Sequence, residues 1–93
     1  MNLDKAKKRI AKQVKKGFNG YPKITLAYYG ATKECATEVA VQFTLGEGDS
    51  VQEERFSCDT EIRDNELIQT TLLKIIERAN ANSVIEIEGV TVL

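Results

Sequence analysis

A chain of 93 residues, 42% hydrophobic and 29% charged, is the size of one domain, 1–93, with enough apolar side chains for a single modest core. It has no apolar run near the roughly 18–20 residues a membrane helix needs, and no histidine, which removes the commonest general base and any mixed Cys/His metal site. The net charge of −1 hides a split: residues 1–33 hold nine basic side chains against Asp4 alone, and residues 34–93 hold four basic against thirteen acidic ones.

Residues 3–16 form an amphipathic helix by pattern. Leu3, Ala6, Ile10 and Val14 recur at steps of three and four on one stripe, while Lys5, Lys8, Arg9, Lys12, Lys15 and Lys16 fall on the other side. Gly17 supplies the left-handed residue that ends it. Phe18 to Pro22, with Asn-Gly and the one proline, is a connector. Lys23 to Tyr29 alternates Ile24, Leu26 and Tyr28 with Thr25, Ala27 and Tyr29, as a half-buried strand does. A loop over 30–34 leads to a second strand over 36–45, with Val39, Val41, Phe43 and Leu45 on one face. Gly46 to Ser50 is a hairpin loop, and 51–58 is a third strand.

Asp59 to Asn65 is a polar approach that Thr60, Asp64 or Asn65 can cap. The second helix, to about Ala79, spreads Leu67, Ile68, Leu72, Ile75 and Ile76 over a broad face suited to covering a sheet. Ser83 to Ile87 reads as a short strand with Glu86 and Glu88 on its outer side, followed by a bend at Gly89 and the apolar terminus Val90 to Leu93. The expected fold is α+β: a two-layer sandwich in α-β-β-β-α-β order, an antiparallel sheet with both helices on one face. Val39, Val41, Phe43, Leu72, Ile75 and Ile76 are its expected core.

No catalytic constellation emerges. Adjacent Glu53 and Glu54 point to opposite faces of a strand, and Asp59 beside Cys58 raises rather than lowers a thiol pKa. Gly46-Glu47-Gly48 lacks the lysine and helix of a phosphate loop. Cys35 and Cys58, 23 positions apart, have no metal spacing and read as free thiols of a reducing compartment. With no apolar stretch of a secretory signal near the start, the expected location is cytoplasmic.

The helix-strand-strand-strand-helix order over about residues 3–79 resembles the double-stranded RNA-binding domain in topology. In that family a lysine-rich motif at the start of the second helix clamps phosphates. The matching stretch here, Glu61-Ile62-Arg63-Asp64-Asn65-Glu66, is mostly acidic, which argues against that mode of RNA binding.

The expected function is a small non-catalytic interaction module. The alternative is a nucleic-acid-binding protein using Lys5, Lys8, Arg9, Lys12, Lys15 and Lys16 of the basic first helix. No catalytic, metal or cofactor residue is assigned. The expected partners are a second copy joined through the C-terminal strand, or a nucleic acid, and no membrane.

Overall fold

The computed structural model describes residues 2–93. Helix α1 spans Leu3–Lys15. The Asn2 side chain caps its start by accepting the Lys5 N–H at 2.9 Å, and Gly17, at φ +71°, ends it. Strands β1 (Lys23–Gly30), β2 (Glu38–Thr44) and β3 (Gln52–Ser57) follow. The polar approach to the second helix is a 3-10 turn, Ile62–Asp64. Asn65 caps helix α2, Glu66–Arg78, accepting the Ile68 N–H at 3.0 Å. Strand β4 runs from Ser83 to Val92 without a break.

The α-β-β-β-α-β order and the α+β class are as expected, but the sheet is mixed. Its spatial order is β3-β2-β1-β4; β1, β2 and β3 form an antiparallel meander, and β4 lies parallel to β1. The cause is the crossover. A helix after β3 returns the chain to the end where β3 began, so the next strand runs in the direction of β3, which is also that of β1. With β2 on one side of β1, the free side receives β4.

Ile24, Leu26 and Tyr28 of β1, Val39 and Val41 of β2, and Val84 of β4 meet Ile10 of α1 and Leu72, Leu73 and Ile76 of α2 in one core. Both helices therefore cover the same face of the sheet. Ile62, from the 3-10 turn, is fully buried and closes one end of this core. Phe43 and Ile75, expected at the centre, are half-buried at its margin, where they flank the uncovered side of β3.

Glu86 departs from its expected place on the outer side. It pairs with Leu26, two positions after the Val84–Ile24 pair, so its side chain shares the face of the core and the helices. The register slips by two residues between Leu26 and Tyr28, where Gly89 takes φ +77°, and this bulge sets Val90 rather than Glu88 opposite Tyr28, packed against the core. On the opposite face, Ala27 and Ala40 are buried although no helix covers them. Arg55 stands opposite Ala40 on β3; its guanidinium lies 4.9 Å from the centre of the Tyr29 ring and within 3.6 Å of Glu38 and 3.3 Å of Glu53. That side chain roofs the two alanines and ties three strands together. Both cysteines are free and half-buried. Among the described residues no helix is long and apolar enough to cross a membrane.

Candidate functional site

Two surfaces concentrate polar chemistry, the outer face of α1 and a cleft beside it. On α1 the apolar stripe is consumed by the core, with Ala6 and Ile10 buried and Leu3 and Val14 half-buried. At 100° per residue, Lys5, Lys8, Arg9, Lys12, Lys15 and Lys16 fall within an arc of about 120° on the opposite side, along a helix about 20 Å long. All six are exposed, and among the described residues none is in an ion pair. Glu77 of α2 borders the groove beside Arg9, Lys12 and Lys16. The structure thus brings all six residues together on one continuous strip.

Lys7, the remaining lysine of α1, sits on the flank facing the rest of the molecule and meets Asp64 of the 3-10 turn at 3.1 Å. Phe18, just beyond the helix, is 58% exposed and packs edge-on against Tyr21, ring centres 5.5 Å apart. The strip therefore ends beside an exposed aromatic ring, which reading the helix alone had missed. The signal was present in Phe18-Asn19-Gly20-Tyr21, but a turn sequence does not say which of its rings stays in solvent.

The cleft, about 540 Å³, opens between α1, the 3-10 turn and β4, with Tyr28 and Gln69 at its floor. Glu61 anchors one wall. Its carboxylate accepts from the Ala36 N–H at 3.0 Å, from the Arg63 N–H at 3.1 Å and from the Arg63 guanidinium at 2.5 and 2.8 Å. The guanidinium and the backbone bonds hold its pKa at about 2. Arg63 also donates to the Glu34 carbonyl at 3.4 Å, which pins the β1–β2 loop to the 3-10 turn. Across the cleft, burial lifts the Glu86 pKa against the opposing pull of Arg63 and Lys7. Burial likewise raises that of Tyr28, while a bond from Gln69 opposes the rise. None of these groups was assembled by sequence reading, because β1, β4, α1 and the 3-10 turn meet here only through the tertiary fold.

No protein-family model, curated protein or solved structure matches the chain.

Proposed function

We propose that the chain is a small non-catalytic interaction module whose working surface is the outer strip of α1, and that the partner this strip fits is a nucleic-acid backbone. One observation carries the reading: six cations, exposed and without acidic partners among the described residues, lie along a helix whose apolar side is already occupied. The strip offers no large apolar side chain. A protein interface draws its affinity from a desolvated apolar centre with aromatic anchors, and a membrane-lying helix from an inserted apolar face. A phosphate backbone needs neither, since counterion release supplies the free energy. Contacts of this kind position a duplex without reading its bases.

The exposed end of β4 supports a second contact. Val92 is 48% exposed at the end of a strand whose outer edge is unpaired, and Leu93, just beyond it, is 72% exposed; a second copy pairing there would cover them. The two free thiols fit a cytoplasmic protein.

The test is a titration of a labelled mixed-sequence duplex with the protein and with the double variant Lys8→Glu/Lys12→Glu, at two exposed positions. Saturable binding by the parent and much weaker binding by the variant, with melting temperatures unchanged, is the expected result. Equal binding by both would overturn the assignment of the strip.

A further inference from the structure

The cleft beside α1 has a charge count that the α1 strip does not explain. Two cations line it, Lys7 and Arg63, and four carboxylates, Glu34, Glu61, Asp64 and Glu86. Both cations are already engaged: Arg63 is forked onto Glu61, and Lys7 stands 3.1 Å from Asp64. Glu34 and Glu86 remain, and neither is in an ion pair among the described residues. Glu86 projects from the core-facing side of β4, where its own neighbours are Val84 and Leu26, so it has no partner on its strand or the next.

The floor adds an independent feature. Tyr28 is 4% exposed and reaches the cleft. The Gln69 amide, itself 3% exposed, donates to the Ile62 carbonyl at 3.2 Å and lines the cleft beside Tyr28. A buried hydroxyl and a carboxylate without a counter-ion thus face one space of about 540 Å³, which lies within the range of small-ligand pockets.

From this arrangement we infer that the cleft binds a small organic cation, an alkylammonium or alkylguanidinium group, with its charge against Glu86 and its body over Tyr28. The phenol oxygen at the floor can accept from the guest's N–H groups, which are donors only. Glu86 is exposed and in no ion pair among the described residues, so a guest's charge can reach it directly. The group can belong to a free amine or to a lysine or arginine side chain of another chain, and the chemistry at Glu86 is the same for both.

The experiment is an amide NMR titration with four probes: agmatine, n-butylamine, n-butyrate, and an acetyl-Gly-Arg-Gly-amide peptide. Saturable shifts confined to Tyr28, Glu34 to Ala36 and Glu86 are expected with the cations and not with butyrate. Glu86→Gln should weaken binding by tenfold or more while Glu88→Gln leaves it unchanged, and Tyr28→Phe should weaken it less. Tighter binding of agmatine than of the peptide identifies a free amine as the source, and the reverse order identifies a side chain. No saturable shift with any cation, equal shifts with butyrate, or an undiminished response in Glu86→Gln would overturn the inference. Since the variants leave the α1 strip intact, duplex binding by each of them separates a failure here from a failure of that reading.

Discussion

The Ser83 hydroxyl holds the backbone of Asn19: it accepts the Asn19 N–H at 2.6 Å and donates to the Gly20 carbonyl at 2.6 Å. Ser83 is 1% exposed and opens β4, so a residue of the last strand fixes the turn that follows α1. Asn82 adds to this, donating from its side chain to the Tyr21 carbonyl at 2.6 Å and from its N–H to the Pro22 carbonyl at 2.9 Å. The direction in which α1 presents its cations depends on this clasp. Ser83→Ala leaves both backbone groups without their partner and should lower stability by about 1–3 kcal/mol. It should also speed amide exchange from Gly17 to Tyr21 before it affects α2, as hydrogen-exchange measurements will show.

The core makes a graded prediction. Leu72 is fully buried, whereas Phe43 is half-buried beside β3. Leu72→Ala should cost about 2–5 kcal/mol in denaturant unfolding. Phe43→Ala, whose ring is still partly in water, should cost less than Leu72→Ala despite removing more atoms. The opposite ranking would place α2 nearer β3 than it lies.

Acid titration should single out Glu61. Its folded pKa of about 2 lies below the ordinary 4.5, so its charged form stabilises the fold at all pH values above 4.5. That contribution fades as pH falls from about 4.5 toward 2. Glu61→Gln loses charge-assisted bonds to two backbone N–H groups and to Arg63, about 2 kcal/mol at neutral pH. The gap between parent and variant should narrow over the same acid range. Glu86 has the opposite sign: its raised pKa means that its contribution is present at low pH and lost as pH rises through the folded value. A gap for Glu61→Gln that stays constant down to pH 2 would show that the carboxylate is not held by these bonds.

Much of this architecture is legible in the chain. Both helices and the first three strands lie where periodicity and turn residues place them, whereas β4 continues past the expected end at Ile87 to Val92, and Gly17 and Asn65 cap as their chemistry demands. Three features are not legible, each for a physical reason. The parallel placement of β4 follows from which edge of the meander is free, and alternation within one strand carries no information about that. Glu86 and Glu88 flank Ile87 and alternation reads them as outward, yet Val84 is the residue that enters the core, and Glu86 shares its side. Ile62 stands among polar neighbours with no periodic partner, so a fully buried plug looks like an isolated loop residue. The cationic strip was visible from spacing alone, while the cleft, built from four separate elements, was not.

Phe18 allows duplexes to be distinguished from single strands. Its exposed ring stands just beyond Lys15 and Lys16, where an unpaired base can stack and a base pair cannot. Phe18→Ala should weaken binding to a single-stranded oligonucleotide by roughly 5- to 150-fold, following the usual 1–3 kcal/mol of base–aromatic stacking, and leave duplex binding nearly unchanged. Parallel anisotropy titrations of the two substrates will test this. An equal loss on both would assign Phe18 to holding the fold through Tyr21.

The measurement that bears most directly on the α1 assignment is the salt dependence of duplex binding. If the strip contacts a phosphate backbone, log K falls linearly with log salt, with a slope of about −0.9 for each phosphate neutralised. The six cations thus set a ceiling of about −5. In Lys8→Glu/Lys12→Glu the slope should become shallower by at least about 2 while the fold is retained. A slope near zero in the parent protein, or one that the double variant leaves unchanged, would contradict the account.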